Sequence, residues 1–516
     1  MRDLFHEYAS GAADLAAFFG CRPLDLFTGG VETQPLPLPL VDEIAEYQRR
    51  LGLTRSLDGT EIYIVTGQQP ALLTGPLYTV YKAVTTIRAA AKLEAKLGRR
   101  CIPVFWMASD DHEFDEARVA HVLTKQHEPR TLRYEPAHDV EGLPLYRVPA
   151  EPGLHELVAQ AADATPGSEF RHGVESFLHH SLDAADSFSD WTARLLARLF
   201  QDTALMIFAP HLREARRLAA DVLEQEIAQP LISTRLLNES GAQLESLGFP
   251  RQISKAANEC NFFVEIDGKR RKVVWEDERY FLPEEGLAWS PEGMLRLLRE
   301  SPDRFSPNVA LRCLVQQRVF DAAGYVAGPA ETAYWAQLRP LFDRFGRRMP
   351  VVYPRVRCTL STVKTNQLMA RFGLGLEDLT APVHALVDRT LAVLAQGEAY
   401  NSVRRRRAAL EEVLAGLRND LAGADATAAE MAGRLEQGIS ADLDRLERTV
   451  LRADTARVDA AHKQVARVCN TLCPWRKPQE RVYTVFSFLF GYGWGLIPRL
   501  INELDIASFR MNEVEL

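Results

Sequence analysis

Residues 62–116 read IYIVTGQQPALLTGPLYTVYKAVTTIRAAAKLEAKLGRRCIPVFWMASDDHEFDE. The run Ile62-Tyr63-Ile64-Val65 is β-branched and aromatic and predicts a buried strand, followed by a polar turn over Thr66-Gly67-Gln68-Gln69-Pro70. Gly75-Pro76 then opens a helix-like run from Leu77 to about Leu97. A second apolar strand, Cys101 to Met107, empties into Ala108-Ser109-Asp110-Asp111-His112-Glu113-Phe114-Asp115-Glu116. Strand, glycine turn, helix and strand make a βαβ unit. In open α/β sheets ligands collect beyond the carboxyl ends of the strands, so both polar clusters are expected to face one cleft.

The turn Gly67, Gln68, Gln69 and the helix start at Gly75 are candidates for receiving an anion, because unpaired N–H groups and the helix dipole favour phosphate or carboxylate. Gly75-Pro76-Leu77-Tyr78-Thr79-Val80-Tyr81 can be laid over the Gly-x-Leu-His-x-Gly-His pattern of class I synthetases. Glycine and leucine match. Tyr78 and Tyr81 replace both histidines, and Lys82 follows as a cation. Tyrosine donates a hydrogen bond to a phosphate oxygen but carries no charge at neutral pH; both tyrosines read equally well as packed helix aromatics.

Asp110, Asp111 and His112 are the candidate catalytic set, with Asp111 or His112 as general base. Glu113 and Asp115 extend the cluster and suit recognition of an ammonium group. The same side chains also suit a divalent ion, or a helix start decorated with acids. His462, Cys469 and Cys473 lack a convincing fourth ligand for a metal site and read as core or interface residues. No metal site is assigned.

A chain of 516 residues exceeds one simple core, and 47% hydrophobic with 25% charged residues is an ordinary globular composition. A formal net charge of -8 argues against a nucleic-acid partner. Seven dispersed cysteines predict a reducing compartment, and no signal peptide is evident at Met1–Glu7, so the expected location is cytoplasmic. The most apolar stretch, 482–497, is interrupted by Thr484, Ser487 and glycines and falls short of the roughly 18–20 apolar residues of a membrane span.

Along the chain, residues 1–60 read as an N-terminal helical and linker region. Residues 61–360 read as the α/β core, with insertions near 126–190 and 255–305. Within the second insertion a hairpin is expected at Phe262–Trp275, turning at Asp267-Gly268. In 361–475, Val403, Leu410, Leu417 and Ala424 recur every seven residues, with Leu414, Leu421 and Ala428 between them. After Gly433 a second series runs Leu435, Ile439, Leu443, Leu446, Val450, predicting an antiparallel coiled-coil hairpin. Residues 476–516 are expected to pack back on the core.

The runs VTGQQPALLTGPLYTVYKA and PVFWMASDDHEFDE resemble the bacillithiol biosynthesis cysteine-adding enzymes. So do Ser306–Val309, Tyr325–Glu331, Ala333–Gln337 and Pro354-Arg355, in the same order. The resemblance implies a Rossmann-type parallel-sheet core with two connecting insertions, a helical coiled-coil arm and a homodimer. It implies addition of cysteine to glucosaminyl malate by amide formation. The cysteine carboxylate must be activated for that, and the simplest hypothesis is ATP or another adenine nucleotide seated at Gly67–Gly75 with Tyr78 and Lys82 on its phosphates. The resemblance also carries over Asn308, Tyr325, Gly328, Glu331, Tyr334 and Arg355 as substrate-binding residues, Arg355 as a reader of a malyl or cysteine carboxylate. Two other function classes fit the residues: a small-molecule nucleotidyltransferase, and a non-catalytic nucleotide- or sugar-binding scaffold.

Overall fold

The structure, a computed structural model, describes residues 2–394, 398–423, 425–452 and 455–516. They form two compact units. One comprises the residues up to Lys125 with Arg130–Cys358 and Glu480–Val514; the other comprises Gln126–Pro129, Thr359–Gln479 and Glu515–Leu516.

The first unit is built on β1 (Ile62–Gln68), α1 (Tyr78–Leu97), β2 (Cys101–Met107), β3 (Met206–Phe208), α2 (Arg213–Ala228), β4 (Glu259–Ile266), β5 (Lys269–Glu276), β6 (Arg279–Leu282), β7 (Leu287–Trp289), β8 (Phe305–Pro307), α3 (Val309–Phe320), β9 (Gly324–Ala327), α4 (Pro329–Trp335) and β10 (Val351–Pro354). Five strands form a parallel sheet in the order β10-β9-β1-β2-β3. The chain therefore builds outward from β1 to one side and later returns to its other side. That places a topological switch between β1 and β9, where a doubly wound sheet opens a crevice. Buried strands covered on both faces need continuous apolar runs, and Ile62 through Val65 and Cys101 through Met107 are buried without interruption. Tyr63, Val65, Trp106, Phe208 and Tyr325 share one core with Leu4, Tyr8, Leu40 and Ile44 from the first 60 residues.

One correction concerns the expected turn at Thr66–Pro70. β1 continues through Gly67 and Gln68, which pair with Trp106 and Met107 of β2. A side chain at position 67 would put its Cβ 3.1 Å from the Trp106 carbonyl oxygen, a tight contact that glycine avoids where the two strands run on together. α1 ends at Gly98, whose φ of 62° makes a left-handed cap.

The second sheet is antiparallel, in the order β8-β4-β5-β6-β7. Asp267 and Gly268 turn the β4–β5 hairpin with φ of 49° and 78°, the positive pair that a type I′ turn requires.

The second unit has its own core, in which Phe372, Leu386, Leu391, Val465, Val468, Cys469 and Cys473 pack. Its hairpin consists of α5 (Glu398–Ala422) and α6 (Ala426–Arg452). The reversal thus precedes Ala426, and Gly433 lies inside a helix. Ala424 of the heptad series falls outside the described residues. Leu414 and Ala432 are buried, and Arg407 reaches across to Asp444, 2.5 Å, and Glu447, 3.4 Å. Leu410, Leu417, Leu435 and Leu446, expected in the hairpin seam, are instead 38–51% exposed. Two helices bury one stripe each, and this sequence carries more apolar positions than one stripe holds. Among the described residues no helix is long and apolar enough to cross a membrane, and no disulfide joins any of the seven cysteines.

Candidate functional site

A cavity of about 400 Å³ opens at the carboxyl ends of the parallel strands, walled by the ends of β1 and β2, the start of α3, and α4. It brings together Gly67, Gln68, Gln69, Asp110, Asp111, His112, Glu113, Asn308, Glu331 and Tyr334. Gly75, Tyr78, Lys82, Asp115, Tyr325, Gly328 and Arg355 do not line it.

Lys82 and Glu331 explain much of that division. The buried Lys82 ammonium donates to Gly67 O and Gln68 Oε1, each 2.8 Å, and pairs with Glu331 Oε2 at 2.6 Å. An ammonium has three protons, and all three are engaged. Burial pulls the Lys82 pKa below its ordinary value, against the Glu331 carboxylate, which raises it. Glu331 also accepts from Tyr325 Oη at 2.6 Å and Gly328 N at 2.8 Å. Lys82, Tyr325, Gly328 and Glu331 thus tie α1 and the start of α4 to the strand ends from behind the cavity.

The expected phosphate cradle does not survive this arrangement. Lys82 has no proton left for a phosphate oxygen. At the α1 start, Leu77 N donates to Tyr483 O at 2.8 Å and Gly75 N to Leu72 O at 3.0 Å, so these donors are taken as well. Tyr78 is held between cations, its ring 5.8 Å from Lys82 Nζ and 5.6 Å from the Arg355 guanidinium.

Arg355 is likewise not a substrate reader. It is buried and makes a bidentate pair with buried Glu480 at 2.8 and 3.0 Å. Its charge is answered within the fold. Asn308 caps α3: its Oδ1 accepts from Ala310 N and Leu311 N, and its Nδ2 donates to Asn261 Oδ1 at 2.8 Å.

The acids after β2 differ sharply from one another. Asp110 is bound bidentately by Arg216, at 2.5 and 3.2 Å, and Arg216 also donates to Phe305 O. Asp111 Oδ1 accepts from Glu113 N at 3.1 Å, and among the described residues its carboxylate forms no ion pair. Asp115 pairs with Arg118 at 2.6 Å and lines an adjoining cleft of about 600 Å³. His112 Nδ1 lies 3.1 Å from Arg270 Nη1. Its lone pair there is engaged by a group that only donates, so His112 is not the free base expected of it. Behind the cluster, Ser109 Oγ meets His211 Nδ1 at 2.9 Å, and burial pushes the His211 pKa down to about 4.

Two cavity residues escaped the sequence reading. Arg270 is buried, stacked 3.7 Å over the Phe263 ring, and donates to Ser306 Oγ and Pro307 O at 2.8 and 2.7 Å. Arg312 donates to Tyr334 Oη at 2.7 Å. Among the described residues neither guanidinium has a carboxylate in ion-pair range, although both line the cavity. Arg312 stands one helical turn after Asn308, a spacing that would have flagged it; Arg270 was hidden in the Lys269–Lys272 charge run. The cavity therefore combines two guanidiniums open to an anion with two carboxylates, Asp111 and Glu113, that form no ion pair among the described residues. No group of three or more His, Cys, Asp or Glu among the described residues is arranged to hold a metal ion.

Residues 2–356 match the family described as bacillithiol biosynthesis BshC, N-terminal Rossmann-like domain, and residues 358–516 match its C-terminal coiled-coil domain. The chain is 30% identical over 477 residues, 91% of its length and 86% of the relative's, to a Salinibacter ruber protein named "Putative cysteine ligase BshC". Proteins of the same name from Koribacter versatilis and Heliobacterium modesticaldum are 28% and 31% identical, over 97% and 88% of this chain and 94% and 86% of their own. With both domains matched in order and nearly the whole length covered, the chain belongs to the BshC family of bacillithiol biosynthesis.

Proposed function

We propose that this protein is a cytoplasmic, homodimeric cysteine ligase that joins the carboxyl group of cysteine to the amine of glucosaminyl malate. The observation that carries this reading is the charge arrangement of one cavity: Arg270 and Arg312 without carboxylate partners, and Asp111 without a cation. Guanidinium groups bind carboxylates or phosphates in planar, bidentate fashion. The malyl carboxylates and the cysteine carboxylate supply such anions. An amine must lose a proton to attack, and Asp111 takes it in this reading; Glu113 is a second cavity carboxylate without an ion pair among the described residues. Family membership supports the same chemistry, since the relatives carry the name of a cysteine ligase.

An amine meeting a free carboxylate merely forms a salt, so the cysteine carboxyl must be activated. An adenine nucleotide is the proposed co-substrate; when bound it supplies a leaving group to that carboxyl. Of the residues first expected to hold its phosphates, Gly75 and Lys82 do not fit, because their donors are engaged, and Tyr78 does not line the cavity. Arg270 and Arg312 do fit an anion of that kind.

Two further elements of the reading have their own support. Leu410, Leu417, Leu435 and Leu446 leave an apolar stripe on the outside of the helical hairpin, suited to a second copy. Seven cysteines without a disulfide suit a reducing compartment. The ligase reading is tested by mass spectrometry of purified protein with cysteine and glucosaminyl malate, with and without ATP and magnesium. The expected result is a product carrying both substrates less one water, formed only with ATP. Product without ATP would replace the nucleotide by another activated donor, and no product in either mixture would overturn the reading.

A further inference from the structure

We infer that His112 serves the reaction as a neutral hydrogen-bond donor, its Nε2–H directed to the acyl oxygen under attack, and that Asp111, not His112, takes the proton. The inference rests on the amide-forming reading above and assigns the two neighbours different roles.

The argument begins with Arg270. A guanidinium has five N–H groups and no acceptor. Its Nη1 lies 3.1 Å from His112 Nδ1, so that nitrogen must be the acceptor. Arg270 is not free to turn away. Its Nε is bonded to Ser306 Oγ, its Nη2 to Pro307 O, and its plane lies on the Phe263 ring. A neutral imidazole with an accepting Nδ1 carries its one proton on Nε2, and the partner of one ring nitrogen thus sets the chemistry of the other.

The ring also stays neutral. Burial, first, and the Arg270 charge, second, hold the His112 pKa below the ordinary histidine value, although Asp111, Glu113 and Glu284 pull the other way. No hydrogen bond from Nε2 to any described residue competes for that proton. His112 lines both the 400 Å³ cavity and the adjoining 600 Å³ cleft, as do Glu113 and Arg270, so it stands where two substrates would meet. Donors already in place where negative charge develops are strong contributors to acyl transfer, and a neutral imidazole can act in this way.

In the step itself the amine lone pair forms the C–N bond to the acyl carbon, which was activated by a nucleoside triphosphate. The carbonyl π pair moves onto oxygen, where the His112 Nε2–H meets it. That pair then returns, the bond to the leaving group breaks with its electrons going to that group, and the nitrogen's surplus proton passes to the Asp111 carboxylate.

The test compares His112→Ala with His112→Gln, whose amide N–H lies near the place of Nε2–H but cannot act as a base. Removal of one such donor is expected to lower kcat about 10²–10³-fold in the alanine variant. The glutamine variant is expected to regain about tenfold or more of that loss, with KM nearly unchanged and the acid limb of the pH profile kept. Equal losses in both variants, with the acid limb shifted or gone, would overturn the donor role. Independently, ¹⁵N spectra of histidine-labelled protein, assigned by difference from His112→Gln, should show at pH 7 a protonated Nε2 and a bare Nδ1. A proton on Nδ1, or an imidazolium, would overturn the assignment whatever the kinetics. Wild-type protein that forms no product would overturn the ligase reading and the acyl-oxygen role with it, and the spectra would still decide the tautomer.

Discussion

Asp110 gives both carboxylate oxygens to Arg216, whereas its neighbour Asp111 accepts a backbone N–H and faces the cavity without a cation. Asp111→Asn is accordingly expected to reduce kcat by about 10²–10⁴-fold, the usual share of a general base, with KM for cysteine little changed; normal turnover in a steady-state assay would remove Asp111 from the chemistry. Arg312 lacks a carboxylate partner and donates to Tyr334. A charged hydrogen bond contributes about 1.5–3 kcal/mol, so Arg312→Ala should raise KM for the anionic substrate by about 10–100-fold. His211, with its pKa near 4, must stay neutral to fold, while an unfolded chain protonates it below about 6.5. Its stabilisation is therefore fully present above that pH and is lost as pH falls toward 4. His211→Asn keeps a partner for Ser109 at the place of Nδ1 and removes the titration, so its thermal midpoint should fall less than that of the wild type between pH 7 and 4.5. An equal fall in both proteins would refute this source of acid sensitivity.

At the scale of elements, the α3 start matters because it both caps a helix and carries Arg312 one turn on. Asn308→Ala removes the acceptor for Ala310 N and Leu311 N. The loss should cost about 1 kcal/mol, or up to 2, read as a lower urea midpoint; Asn308→Asp keeps these acceptors but loses the Nδ2 donor to Asn261 Oδ1, so it should not restore the wild-type midpoint. β1 and β2 were legible because a fully buried strand must be apolar throughout, and Ile62–Val65 and Cys101–Met107 are. The run-on of β1 through Gly67 and Gln68 was not legible. A glycine followed by glutamines is normally turn chemistry, and only the Trp106 carbonyl beside position 67 shows why a glycine suits the strand there. The hairpin at Asp267-Gly268 was legible for the opposite reason: two consecutive positive φ values are a local demand that those residues meet alone.

For the whole molecule, the apolar stripe of α5 and α6 is the feature with a consequence for assembly. Leu410 and Leu435 are exposed within the chain, at 38% and 51%. Leu410→Glu combined with Leu435→Glu should leave helix content unchanged while converting the proposed dimer to a monomer in sedimentation velocity, with the wild type run alongside; a monomeric wild type would remove the dimer. A variant that still sediments as a dimer would place the interface elsewhere. The heptad spacing was readable from sequence, but not which stripe turns inward. Leu414, Ala432 and the Arg407–Asp444 pair occupy the seam, and Leu410, Leu417, Leu435 and Leu446 stay exposed outside it.

By itself the sequence determined what depends on neighbours along the chain: the βαβ period, the acidic cluster at a strand end, the Asp-Gly hairpin and the helical arm. Its short motifs also point to the family. Tertiary structure alone decided which charges are answered. Lys82 looked like a phosphate ligand until Glu331 met it, and Arg355 looked like a carboxylate reader until Glu480 did. Arg270, 158 residues from His112, became part of the site only when the β4–β5 hairpin was laid beside it. The physical reason is common to all three. A buried charge acquires its role from the partner that compensates it, and that partner arrives through folding from a distant part of the chain.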